Sequence, residues 1–270
     1  MKKKKTMAAE TEASISGSSS EEEEEEEGPL GRGLGAENDE DSDEEMLGSG
    51  GGRGGKGTRT GAIFVLENAS LEVGKVGKTL QLLNCDDHNN FLRKKRKDPA
   101  DYRPDICHQA LLSVLDSPLN KAGYIKAVYV KTKKNVLFEI NPQMRVPRTF
   151  KRFSGLMSQL LQKLSIRSAS SPKKLMRVIK QPVTKYLPVA NCRRVGFSRS
   201  AEKIRKLSEF ADSVDVKKGE TCVFAVGVMS HGKIDTPWVD EMISISEYPL
   251  SAACCISKIT NALENRFGIQ

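Results

Sequence analysis

Histidine is scarce in this chain of 270 residues, with three copies, and tryptophan occurs once. His88, His108 and His231 are scattered, and the six cysteines, at 85, 107, 192, 222, 254 and 255, contain no CxxC pair. That excludes the usual zinc ligand spacings. The neighbours Cys107 and His108 are the remaining hint of thiol or metal chemistry, and no second ligand pair accompanies them. Several cysteines sit inside apolar runs, where a thiol packs as a small hydrophobe, as expected in a reducing compartment. No apolar run reaches the ~20 residues of a membrane-spanning helix. Lys2 to Lys5 resemble the start of a signal peptide, but Thr6-Met-Ala-Ala-Glu-Thr-Glu12 supplies no apolar stretch after them. A soluble intracellular protein is expected. A GxGxxG fingerprint is also missing, which argues against a dinucleotide.

Charge is abundant and unevenly placed. Residues 1–60 hold 8 Lys and Arg against 16 Asp and Glu, while the other 210 hold 35 against 19, a net charge of +16. A body that basic favours a polyanionic partner, bound in a salt-dependent way. The first 60 residues combine a glutamate block at 21–27, an acidic cluster at 37–45 and a glycine-rich stretch at 48–57. Such a composition cannot bury enough apolar surface to fold, so a disordered tail is expected over 1–60 and one domain over 61–270. Gly50-Gly-Gly-Arg-Gly-Gly-Lys56 imitates a phosphate-binding loop, but Gly57 occupies the Ser/Thr position and no strand precedes it. Arg53 and its glycines read as a flexible RNA-touching element. The acidic blocks read as a screen for the basic body or a site for basic partners.

Within the body, the apolar run 62–66 reads as a buried parallel strand and 69–83 as a helix after it. The five consecutive cations Arg93-Lys-Lys-Arg-Lys97 read as an exposed loop, with RNA contact, nuclear import and simple solvation all open. A helix over 106–115, closed by Asp116-Ser-Pro118, and strands over 124–131 and 135–140 follow. Phe153, Leu156, Leu160, Leu161 and Leu164 recur at helical spacing through Ile166. Strands are expected at 192–197 and 221–226, and a last helix carries Ala252, Ile256, Ile259 and Leu263 on one face. The order implies an α/β domain.

Two places carry chemistry. Arg145, Arg148 and Arg152 lie in Asn141-Pro-Gln-Met-Arg-Val-Pro-Arg-Thr-Phe-Lys-Arg-Phe153, where a strand gives way to a helix. Arginine forks and the free N–H groups of a helix start both favour phosphate. Pro147 suits a first helical turn, which would put Arg148 and Arg152 at i and i+4 on one face. Further on, 221–226 runs into Gly227-Val-Met-Ser-His-Gly232, and a later loop carries Ile245-Ser-Glu-Tyr-Pro-Leu250. Ligands of open α/β sheets gather at such strand ends, and glycines let backbone amides approach them. Two turn glycines alone carry little specificity.

The runs Arg103-Pro-Asp105-Ile-Cys-His-Gln109, Asp116-Ser-Pro-Leu-Asn120, Asn141-Pro through Gly155-Leu-Met157, 227–232 and Tyr248-Pro-Leu-Ser-Ala252 resemble the pseudouridine-N1 methyltransferases of eukaryotic small-subunit ribosome biogenesis. This is the nucleolar family called essential for mitotic growth, and the resemblance spans about 61–269. It implies a SPOUT-type methyltransferase domain with a deep C-terminal trefoil knot, acting as a homodimer on small-subunit rRNA. S-adenosylmethionine would be held by Phe197, Gly227, Gly232, Ile245, Ser246, Glu247, Tyr248, Pro249 and Leu250. RNA would be held by Arg103, Arg145, Arg148 and Arg152, with Asp105 orienting Arg103. No metal and no named general base belong to this expectation. Implied partners are small-subunit ribosomal proteins and pre-ribosomal particles in the nucleolus. A noncatalytic rRNA clamp of the small-subunit precursor and a methyltransferase of this fold acting on another RNA are the alternatives.

Overall fold

The computed structural model of the chain describes residues 60–168 and 172–270, so the expected tail lies, but for Thr60, outside the described residues. Along the chain run β1 (Gly61–Ala69), β2 (Val73–Val76), β3 (Thr79–Leu82), α1 (Asn89–Lys94), α2 (Pro104–Leu115), α3 (Pro118–Lys121), β4 (Ile125–Thr132) and β5 (Leu137–Ile140). Then come α4 (Phe150–Lys163), β6 (Ser165–Arg167), β7 (Lys174–Ile179), β8 (Cys192–Phe197), α5 (Leu207–Asp212), β9 (Thr221–Gly227), β10 (Glu241–Ile243) and α6 (Ala252–Phe267).

β1 pairs in parallel with β4 on one side and β9 on the other, and β8 and β10 continue in parallel beyond β9. On the far flank β5, β7 and β6 are antiparallel, giving the order β10-β8-β9-β1-β4-β5-β7-β6. Ala62, Phe64 and Leu66 of β1 enter the larger core, with α2, α4 and α6. Ile63 and Val65 enter a smaller core on the opposite face, closed by Val183 and Leu187 with Trp238 packed against it. Burial on both faces is why this strand is apolar without alternation. The last helix is delimited locally. The Ser251 hydroxyl accepts the Cys254 N–H at its start, Gly268 at φ +66° ends it, and Ile256, Ile259 and Leu263 are buried between.

Several expectations need correction. Residues 69–83 form no helix: β2 and β3 make an antiparallel hairpin around Gly77, whose φ of +61° suits a tight turn. Arg93 and Lys94 belong to α1, so the basic run is a helix end with a loop after it, and Lys97 leaves that loop to bind Glu72 at 2.7 Å. The helix of the arginine segment begins at Phe150, with Thr149 at its N-cap. Pro147 and Arg148 therefore precede it, and the i, i+4 relation of Arg148 and Arg152 is absent. That helix also stops at Lys163. Leu164 turns left-handed (φ 62°) and Ser165–Arg167 pairs as β6, so Leu164 is half exposed, not a core residue.

Glu67, at the end of β1, is 1% exposed, with Oε1 lacking a hydrogen-bond partner among the described residues and Oε2 3.5 Å from Lys131 Nζ. Burial raises its pKa, and the nearby Lys131 ammonium and Trp238 indole only partly offset this. A raised carboxyl favours folding while it is protonated and loses that contribution as pH climbs through the folded-state value. Glu67→Gln should therefore raise the melting temperature at pH 8, by about 2–4 °C per ~1 kcal/mol gained, and change it less at pH 4. Melting curves at the two pH values check this.

Candidate functional site

Arg103 caps α2, and Pro104 opens its first turn. Its Nε and Nη2 donate to the two oxygens of Asp105 at 2.9 and 2.7 Å, a bidentate clamp that fixes one guanidinium orientation. The segment carrying Arg145 and Arg148 is fixed from beneath. Asn120 Nδ2 donates to the Pro142 carbonyl at 2.9 Å, and His108 Nε2 donates to the Pro147 carbonyl at 2.7 Å. A carbonyl only accepts, so the hydrogen of His108 sits on Nε2. The same ring stacks on Phe153 of α4 with centroids 4.4 Å apart. Thus α2 and α4 pack through buried rings and bring their N-terminal segments together. Arg145 and Arg152 are exposed and have no hydrogen bond or ion pair among the described residues. Arg148 reaches Asp116 at 3.1 Å.

The carboxyl ends of β8, β9 and β10 form a second site, a cleft of about 200 Å³. Phe197, Gly227 and Ile243 end these strands, and the loops after them supply Gly232, Ile245, Ser246, Tyr248 and Leu250. Glu247 and Pro249 do not line it. A Cβ on Gly227 would stand 2.9 Å from Ile234 and 3.1 Å from Met229. Gly232 has φ +104°, a conformation open to glycine and strained for other residues. The second loop is shaped by serines: Ser244 Oγ donates to the Ser246 carbonyl, and Ser246 Oγ accepts the Tyr248 N–H. A whole cofactor usually occupies ~300 Å³ or more, so part of any such ligand lies outside the cleft or the loops part to admit it.

The two sites are joined. Ser230 Oγ donates to the Ala100 carbonyl at 2.9 Å, and His231 Nε2 lies 3.2 Å from Asp101, which also takes Lys133 at 2.7 Å. Ser70 Oγ, in turn, donates to the Asp101 carbonyl and accepts the Arg103 N–H. A short chain of contacts therefore runs from the glycine loop to the arginine surface. His231 has its other ring nitrogen 3.0 Å from Ser230 Oγ, so both nitrogens are engaged. Cys107 is fully buried on α2 and its thiol is pushed up to about 12 by that burial, which leaves it unreactive.

The family model described as EMG1/NEP1 methyltransferase matches residues 64–264. The chain belongs to the EMG1/NEP1 methyltransferase family. Among its EMG1/NEP1 relatives, the mouse (Mus musculus) protein named ribosomal RNA small subunit methyltransferase NEP1 is 51% identical over 218 residues, 80% of this chain and 86% of that one. The human (Homo sapiens) protein of the same name is 50% identical over the same shares. The crystal structure of Archaeoglobus fulgidus Nep1 bound to S-adenosylhomocysteine superposes with a TM-score of 0.61 at 23% identity, covering 77% of this chain and all of that one. That likeness establishes the α/β fold with its largely parallel sheet.

In this EMG1/NEP1 chain, sequence reasoning missed Ser230, His231, Ile234 and Ser244 in the walls of the cleft. The first two lie between the glycines already singled out, and their positions in the loop were the available signal. Nothing in the spacing of Ser70, Asp101 and His108 announced that they brace the arginine segments.

Proposed function

We propose that this chain transfers the methyl group of S-adenosylmethionine to N1 of a pseudouridine in small-subunit rRNA. The observation that carries the reading is the contact chain Ser230–Ala100 and His231–Asp101, which ties a glycine-lined cleft to a surface of clamped and free arginines. The methyltransferase family and the rRNA-directed names of the relatives at about half identity support it. The cleft suits the cofactor chemically. Phe197, Ile243, Ile245 and Leu250 offer apolar walls for a flat base, Ser198 and Ser246 offer hydroxyls, and Gly227 leaves its backbone bare.

S-adenosylmethionine, when bound, supplies an electrophilic methyl group. The chain then has to hold the acceptor nitrogen in line with that methyl and keep the base in place. Arg145 and Arg152 are free to take phosphates, while Asp105 holds Arg103 in one rotamer ready for a third. Pinning the backbone on both sides lets the target base leave its stack, as chemistry on a base requires. His231, with both nitrogens engaged, has no free lone pair for the N1 proton in this arrangement. Water or a backbone acceptor fits that task better. The proposal extends to a homodimer with a trefoil-knotted C-terminal segment, working in the nucleolus on pre-ribosomal particles beside small-subunit ribosomal proteins.

The test is transfer of labelled methyl to an rRNA hairpin carrying pseudouridine, next to the same hairpin carrying uridine. Label on the first alone is expected. Tight binding of both hairpins without transfer, in a chain that binds the cofactor, would shift the function to a noncatalytic rRNA clamp.

A further inference from the structure

A larger cavity, about 730 Å³, lies between α4 and the β2–β3 hairpin, apart from the cleft that ends the parallel strands. One wall is a face of α4 bearing Lys151, Gly155, Ser158 and Gln159, positions that share a side of a helix. The other wall is Leu80 with the turn from Asn84 to His88. One hydrogen bond ties the two walls together, and the second wall is braced by its own. Ser158 Oγ donates to the Leu80 carbonyl, His88 Nε2 faces Gln81 Oε1 at 3.1 Å, and Asn84 Oδ1 accepts the N–H groups of Asp86 and Asp87. Lys151, Ser154, Gln159 and Lys163, in contrast, line the groove with no partner among the described residues. The groove thus has unspent donors and a cation toward each end.

Its position is informative. Lys151 stands next to Arg152, and the Cys85 N–H binds the Tyr102 carbonyl at 2.9 Å, which sets the opposite wall beside Arg103. Gly155 adds an independent observation. It lies inside α4 without a positive φ, and a Cβ there would meet nothing within 4 Å. Glycine in a helix interior costs about 1 kcal/mol relative to alanine, and no packing among the described residues demands it. Its bare backbone faces open space along the groove.

We propose that this groove binds the single-stranded rRNA flanking the target nucleotide, with Gln159 and Ser154 reading the edge of an unpaired base and Lys151 and Lys163 taking phosphates. The proposal rests on the rRNA reading above and adds a site to it. Sequence-specific RNA recognition works on splayed single-stranded bases, and amide side chains suit base edges. A second copy of the chain fits the groove less well, because interfaces between copies have apolar centres. Here Leu80, 50% exposed, and the half-buried Phe150 are the large hydrophobic side chains on display, at one side of a lining otherwise made mostly of amides, hydroxyls and lysines.

Gly155→Leu fills the groove from open space and removes a helix-weakening glycine. The full-length variant should melt at or above the wild-type temperature, bind S-adenosylhomocysteine unchanged, and bind the rRNA hairpin about 10-fold more weakly. KM for RNA should rise with kcat retained. Gln159→Ala should weaken the hairpin several-fold and flatten the dependence on one flanking nucleotide. Unchanged hairpin affinity and KM in both variants, with a wild type that transfers methyl, would overturn the proposal. So would a change in oligomeric state by light scattering, with RNA affinity intact, which would assign the groove to a second copy. If the wild type binds hairpin without transferring methyl and Gly155→Leu still weakens that binding, the groove stands and the methyl-transfer reading falls.

Discussion

Gly232→Arg is expected to reduce cofactor binding by more than 100-fold while leaving the melting temperature close to wild type. Gly232 holds φ +104° in an exposed loop beside the cleft. Forcing a side chain into such backbone costs about 1–3 kcal/mol, enough by itself for ~10–100-fold if the loop must keep its shape to bind. The loop relieves the strain by moving, and the arginine then stands at the rim of the cleft. Because the residue buries nothing, folding is spared. Calorimetric titration with S-adenosylhomocysteine, paired with a melting curve, separates the two effects. Unchanged binding would mean that the cleft is not the donor site. Gly227→Val approaches the same cleft from the strand side, where Ile234 and Met229 already crowd the position, so it should lose binding and some stability together.

The double variant Arg145→Ala, Arg152→Ala should weaken the rRNA hairpin by about 100-fold at physiological salt and leave cofactor binding alone. Each lost phosphate contact also lowers the slope of log affinity against log salt by about 1, so the slope should fall by about 2. Both side chains are exposed and unpaired among the described residues, so removing them disturbs no internal contact. Arg148→Ala should matter less, because Asp116 shares that guanidinium at 3.1 Å. Hairpin titrations over a range of salt concentrations check both statements. A full loss of slope in Arg148→Ala, with the double variant unaffected, would reverse the assignment of phosphate contacts.

The parallel heart of the fold was legible because its strands are buried on two faces. Residues 62–66 and 221–226 are apolar enough to show as strands, and the structure puts β1 and β9 there, whereas 192–197 carries Arg193 and Arg194 and forms β8 with only its second half buried. The last helix was legible from its periodic Ile256, Ile259 and Leu263. The hairpin over 73–82 was not, because its two four-residue strands show no alternation of buried and exposed residues and Gly77 decides the matter through its positive φ. The start of α4 was misplaced because Pro147 is a good first-turn residue in isolation, whereas here His108, 39 residues earlier, takes its carbonyl. A contact that distant leaves no local trace. The same holds for the site. Its glycines and arginines stood out by type and clustering, but the Asp101–His231 contact, which joins the two halves, spans 130 residues and only the fold reveals it.

The most direct measurement is the identity of the methylated nucleoside after the full-length chain has acted on pseudouridine-containing small-subunit rRNA with S-adenosylmethionine. Nuclease digestion followed by tandem mass spectrometry places the added methyl. Methyl on the base at N1 of pseudouridine, absent from the Gly232→Arg reaction, is the expected result. Methyl on a ribose oxygen or on another base would contradict the proposed alignment of acceptor and donor.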